Sequence, residues 1–223
     1  MICVIGDTHG DYSRFSHKKI KALKSGDYLI ICGDFGFVWD GSAREEALLK
    51  KIGSKRYTTI FLTGSHDNYE LLEKYPPMEF MGGTARHICG RLYMLISGEV
   101  LEIDGHKLFV FGGGSASDID ARLENDTWWE QEVPDEALLE NGLKNLSAIA
   151  NKVDYIFTHE PPGSIAEFLE RESSNLPMSR LNIFFDKLKG EVAFKMWFFG
   201  KLHRNKLVPP RYMSVFDEPY IIE

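Results

Sequence analysis

Five short polar clusters each follow an apolar run: Asp7-Thr8-His9, Asp34, Ser65-His66-Asp67, His159 and Lys201-Leu202-His203. Carboxylates and imidazoles in this mixture suit divalent metals such as manganese, iron or zinc. A carboxylate can bridge two such ions while imidazoles complete the shells. Two ions held together clamp an in-line displacement at phosphorus and activate a water. Glycine precedes four of the clusters, as Gly6, Gly33, Gly64 and Gly200. A tight turn there lets side chains converge and brings the backbone close to a ligand.

Strands must position these clusters. Residues 2–5, 28–32, 58–62, 155–158 and 195–199 read as buried strands, each ending at one of them. In open α/β sheets, ligands bind outside the carboxyl ends of strands. Residues 12–24 read as a helix, with Phe15, Ile20 and Leu23 on one side. Residues 42–52 read as a second helix with Ser42 as its N-cap. In the middle of the chain, residues 92–96, 100–103 and 107–111 read as closely spaced strands, and Asp104-Gly105 signals a two-residue hairpin turn. Residues 135–151 return to helical periodicity, and 212–216 and 220–222 read as closing edge strands. No repeat or linker is visible. The alternation predicts a single domain, 1–223, with two mixed sheets covered by helices.

Composition narrows the function. The chain has 223 residues, with 26 Lys and Arg against 33 Asp and Glu, a net charge of −7. That acidity argues against a broad grip on long nucleic acid. It leaves nucleotide substrates open, because a bound metal reverses the local field. The three cysteines, Cys3, Cys32 and Cys89, form no CxxC pair and indicate neither a disulfide framework nor a zinc knuckle. Cys3 and Cys32 lie in apolar runs and read as buried small hydrophobes. No signal peptide is visible and no apolar run spans a bilayer, so the expected location is the cytoplasm, without membrane partners.

Gly6-Asp7-Thr8-His9, Gly33-Asp34-Phe35-Gly36, Gly64-Ser65-His66-Asp67, Thr158-His159 and Gly200-Lys201-Leu202-His203 resemble, in order, the motif series of calcineurin-like metallophosphoesterases. The resemblance implies two facing mixed sheets flanked by helices. It implies a metal-dependent hydrolase of phosphate mono- or diesters that uses a metal-activated water. Asp7, His9 and His203 would hold a first metal, Asp34 would bridge to a second, and His159 would help hold that second ion. His66 would not ligate; it would assist the leaving oxygen, with Asp67 orienting its imidazole.

Two departures fall on one metal. The family has Asn where this chain has Ser65, and His where it has Lys201. Both missing residues would ligate the second ion. A serine hydroxyl is a weak neutral ligand, and an ammonium has no lone pair. Three readings of Lys201 stand: it substitutes electrostatically for the second metal and presents a charge to phosphate, it ligates as a neutral amine, or it swings into solvent. The first implies one tightly bound divalent ion (Mn, Fe or Zn), with the second weak or absent. The rival function is a degenerate relative that binds a phosphorylated ligand or partner without turnover. The expected substrate is a small phosphorylated metabolite, nucleotide or phosphopeptide.

Other residues carry two readings each. Arg122 is a candidate phosphate fork beside Ser65 and Lys201, or equally a surface ion pair. Trp128-Trp129 can stack a base or pin a long loop, and the pin is favoured. Ser115 and Asp118 share that loop with Arg122. Gly112-Gly113-Gly114 is too weak to name a phosphate loop. Arg86 and His87 lie in a loop that can reach the site, while His17 and His106 read as solvated.

Overall fold

The computed structural model describes residues 1–116, 118–170 and 178–222. Runs rich in β-branched and aromatic residues pair into two sheets. In chain order the strands are β1 (Ile2–Ile5), β2 (Tyr28–Ile31), β3 (Thr58–Phe61), β4 (Pro77–Phe80), β5 (Gly83–Cys89) and β6 (Leu92–Leu95). They continue as β7 (Val100–Ile103), β8 (His106–Phe111), β9 (Tyr155–Thr158), β10 (Met196–Phe199), β11 (Lys206–Val208), β12 (Tyr212–Ser214) and β13 (Tyr220–Ile222). The first sheet runs β13-β1-β2-β3-β6-β5-β4, and the second runs β11-β12-β10-β9-β8-β7. Parallel pairs at the centre, β1 with β2 and β9 with β10, are flanked by antiparallel pairs at the edges. Both sheets are therefore mixed, as expected.

The period of two along each strand builds the layers. Ile2 and Val4 of β1 face Leu108 and Val110 of β8 in the core between the sheets, where Phe157 and Phe198 also pack. Cys3 and Ile5 point the other way, against Leu49 and Ile52 of the helix formed by Ala43–Gly53. Phe109 and Phe111 point outward from the second sheet onto Leu139, Leu181 and Phe185. The helices are α1 (Lys18–Lys21), α2 (Ala43–Gly53), α3 (Tyr69–Glu73), α4 (Ile119–Glu124), α5 (Glu136–Ala148), α6 (Gly163–Glu170) and α7 (Arg180–Glu191). Trp197, fully buried in the outer layer, donates from Nε1 to Thr158 Oγ1 at 2.9 Å, so its polar edge is satisfied. Among the described residues no helix is long and apolar enough to cross a membrane.

Several local expectations hold. Ser42 caps α2 and accepts from Glu45 N–H. Asp104 and Gly105 take φ of 55° and 77°, the positive pair that a two-residue hairpin needs. Others are corrected. Residues 12–24 do not form one helix: a 3₁₀ turn, Tyr12–Ser16, breaks at His17, whose extended backbone and Nδ1 cap α1 by accepting from Lys19 N–H. The buried set Phe15, Ile20 and Leu23 survives the break. Tyr212–Ser214 is not an edge strand, because β11 pairs outside it. His17 lies 3.3 Å from Glu218, and His106 packs edge-on against Tyr155.

Candidate metal centre

The carboxyl ends of β1, β2, β3, β9 and β10 bring the five clusters together. Asp7, His9, Asp34, Lys201 and His203 all have positive φ, between 45° and 67°. That backbone region is unfavourable for side-chain-bearing residues, by about 1–3 kcal/mol each. Its concentration in these clusters marks where the fold accepts strain to aim side chains inward. Gly33 and Gly64 allow the closest approaches. A methyl on Gly33 would collide with the His159 ring, and one on Gly64 with the Asp34 carboxylate.

One ligand atom from each of Asp7, His9, Asp34 and His203 lies within 4.8 Å of the others. The two histidine Nε2 atoms stand 3.0 Å apart. His9 Nε2 is 3.7 Å from Asp34 Oδ2, and His203 Nε2 is 3.9 Å from Asp7 Oδ1. The carboxylates are buried and the imidazoles open to solvent, so the cluster has a dry floor and an accessible mouth. His159 is fully buried below it, with Nε2 3.5 Å from Asp34 Oδ1. Its Nδ1 lies 3.2 Å from the Cys32 carbonyl, an acceptor only, which leaves the Nε2 lone pair free.

The residues present fit a divalent metal. His159 Nε2 and Asp7 Oδ2 are buried and have no hydrogen-bond partner, a costly state for polar atoms that a cation would relieve. Burial, joined by the charge of Asp34, pushes the Asp7 carboxyl well above the usual range. Burial acts to raise Asp34 too, but His159, His66 and His9 outweigh it and hold that carboxyl below the usual range. Burial lowers His9, His159 and His203, which favours the neutral imidazoles that ligation requires.

His66 stands at the rim. Its backbone N–H donates to Asp34 Oδ1 at 2.8 Å, and its Nδ1 lies 3.2 Å from both Asp34 Oδ2 and Ser65 Oγ. The hydrogen bond to Asp34 raises this imidazole against the effect of burial. Nε2 faces Asp118 Oδ2 at 3.8 Å. Asp67 does not orient the ring. Its buried carboxylate accepts from the backbone N–H groups of Phe35, Gly36 and Gly64, so it ties the β2 and β3 loops together. Burial and the neighbouring Asp34 charge push Asp67 upward. The His66 ring lies beside Ser65, Asp34 and Asp118, and it meets the His9 ring edge-on with 5.7 Å between centroids.

Lys201 turns inward; its side chain is 25% exposed. Its backbone N–H donates to Asp7 Oδ1 at 2.9 Å. Its ammonium donates to the Ser115 carbonyl, lies 3.4 Å from Ser65 Oγ and 3.5 Å from Glu160 Oε1. The solvent-facing reading of Lys201 is therefore not the conformation observed. Glu160 is a member of the site that sequence reasoning missed; its only signal was a position directly after the strand-end His159.

Arg122 is buried rather than a surface ion pair. Nε and Nη2 donate to the Thr127 carbonyl, Nη1 to the Ser65 carbonyl, and both Nη1 and Nη2 to buried Glu132. With five such bonds, every guanidinium N–H is engaged within the protein, leaving none for a phosphate. Arg122 instead fastens the loop that carries Asp118 to the Ser65 backbone. Replacing Arg122 by Met leaves Glu132 buried and unpaired, and is expected to cost about 3–5 kcal/mol of stability. Urea unfolding would check this, and a loss below about 1 kcal/mol would show the pair to be dispensable.

The tryptophans divide. Trp128 lines a cavity of about 940 Å³ with Arg86, Leu138 and Val133, while Trp129 packs edge-on against Trp39 at 5.6 Å between centroids. Trp129 ties the loop to Trp39, whereas Trp128 lines the cavity. Arg86 donates to the Glu73 and Tyr75 carbonyls, and His87 lies beside the Gly90 carbonyl, so neither joins the cluster. The N–H groups of Gly112, Gly113 and Gly114 bond Ser97, Thr63 and Glu132, which removes them as phosphate donors.

A family model described as calcineurin-like phosphoesterase matches residues 1–205. The chain belongs to this family. No curated protein matches it. As a calcineurin-like phosphoesterase, it carries the family's two-sheet frame and a cluster able to bind metal.

Proposed function

We propose that this phosphoesterase hydrolyses a small phosphate mono- or diester in a divalent-metal-dependent reaction, with one tightly held ion and Lys201 in the place of a second. The convergence of Asp7, His9, Asp34 and His203 ligand atoms within 4.8 Å carries the reading. Asp7, His9, Asp34 and His203 would hold the tightly bound ion, and His159 stands beside Asp34. When bound, the metal supplies Lewis acidity toward a phosphoryl oxygen and lowers the pKa of a water. Manganese, iron and zinc all suit this donor set.

The chain's own groups do the rest. His66, held through Nδ1 against Asp34, would present Nε2 at the rim to protonate the leaving oxygen. Ser65 and Lys201 line the side on which the phosphate would rest. Arg122 acts on that side only through the Ser65 backbone. Residues 1–223 would work as one unit, and the three free cysteines fit a reducing, cytoplasmic setting.

The test is turnover of a panel of aryl, sugar and nucleoside phosphate mono- and diesters, with and without added Mn²⁺. Hydrolysis that chelation abolishes supports the proposal. The engagement of Lys201 with Glu160 and Ser115 favours a second reading, a ligand-binding protein without turnover. Stable binding of phosphate esters with no hydrolysis across the panel would favour that reading instead.

A further inference from the structure

Glu160 is 2% exposed, and the proposed chemistry makes no use of it. Oε1 accepts from Ser115 N–H at 2.7 Å, and Oε2 accepts from the Ser179 hydroxyl. These two neutral donors fix the carboxylate in place from the β8 loop and from the cap of α7. The Lys201 ammonium lies 3.5 Å from Oε1. Gly114 makes room: a methyl there would sit 3.1 Å from Oε1.

The charge arithmetic of the pocket gives this placement a purpose. The two carboxylates among the convergent ligand atoms, Asp7 and Asp34, match one divalent ion. An ammonium on the Ser65 side of the cluster adds a surplus positive charge that opposes that ion. Lys201 reaches the cluster through Ser65 Oγ, which lies 3.2 Å from His66 Nδ1, itself 3.2 Å from Asp34. A fixed carboxylate on the far side of the ammonium cancels its charge and also holds it in position.

We propose that Glu160 is a positioning residue that anchors and neutralises Lys201, so that the neighbouring cluster can hold one divalent ion tightly despite the lysine. The inference rests on the reading of the cluster as a metal centre, but not on turnover.

The test is calorimetric titration of the full chain with MnCl₂. Glu160→Gln is expected to weaken Mn²⁺ binding by about tenfold. Adding Lys201→Met to that variant should restore affinity to within about threefold of wild type, because the uncompensated ammonium is gone. Unchanged affinity in Glu160→Gln, or weakening that Lys201→Met does not restore, would overturn the proposal. Should Glu160→Gln fail to fold, Lys201→Met alone decides: binding at least as tight as wild type supports the proposal, and weaker binding overturns it. A wild-type chain that takes up no Mn²⁺ sinks the metal reading together with this inference. Mn²⁺ binding that ignores Glu160 sinks this inference alone.

Discussion

Replacing His66 by alanine is expected to lower turnover of a phosphoester by about 10²–10⁴-fold, the usual worth of a positioned general acid, while metal content per chain stays unchanged. The geometry separates the two readouts. His66 touches the cluster through its Nδ1 contact with Asp34, while the four convergent ligand atoms come from other residues. Its ring is 39% exposed, so truncation removes little packing. The loss should be greatest for esters with poor leaving groups, which need protonation most, and smallest for nitrophenyl esters, whose leaving oxygen needs little help. A variant that loses metal along with activity would make His66 part of the metal's support instead. Equal losses for good and poor leaving groups would argue against proton donation. Asp118 Oδ2 lies 3.8 Å from Nε2 of the ring. That contact shows how the long loop can influence His66 without touching the metal cluster.

What the sequence revealed and what it concealed divide along physical lines. β1, β2, β3, β9 and β10 were legible because strands buried on both faces read as unbroken apolar runs, and each stops at glycine or a polar side chain. The site lies at those stops, so its principal members were legible with them. β4, β5 and β11 were not: Pro77-Met78-Glu79-Phe80 is mostly exposed and owes its strand form to pairing with β5. α6 and α7 also went unread, although Ser179 caps α7 with a reciprocal Asn182 bond. The role of Asp67 was misread because adjacency to His66 suggested a partner that the turn geometry denies, and Arg122 forms its ion pair in the interior instead of at the surface. Asp67 follows His66, yet the chain turns its carboxylate inward onto three amides. Arg122 finds Glu132, and Lys201 finds Glu160, through space. No spacing rule announces a pair closed by the fold, and buried charges become visible only once their partners are.

The double variant Lys201→His with Ser65→Asn is expected to raise the metal content from one ion per chain to two after equilibration with excess Mn²⁺ and desalting. Two separate obstacles oppose a second ion, and each substitution removes one. The Lys201 ammonium occupies the space beside Ser65 and brings a positive charge where a dication would sit. Unit charges about 4 Å apart interact by about 4 kcal/mol at an effective dielectric of about 20. If only a third of that is felt by the second ion, its affinity rises about tenfold on removal of the charge. Histidine then supplies a lone pair that the ammonium lacks, and asparagine supplies a carbonyl oxygen in place of a weak hydroxyl. Two further donors already point the right way: the unpartnered Nε2 of His159 and the Asp34 carboxylate 3.5 Å from it. Glu160, no longer paired with an ammonium, adds a negative charge behind the new imidazole and draws the second ion further. Each single substitution should do less than the pair, because Ser65→Asn leaves the charge and Lys201→His leaves one ligand weak. A double variant that still holds one ion, with no measurable gain in second-ion affinity, would show that the backbone of this side has closed around the lysine. In that case its single-ion character lies in the loops held by Arg122 and Ser115, not in the two replaced side chains.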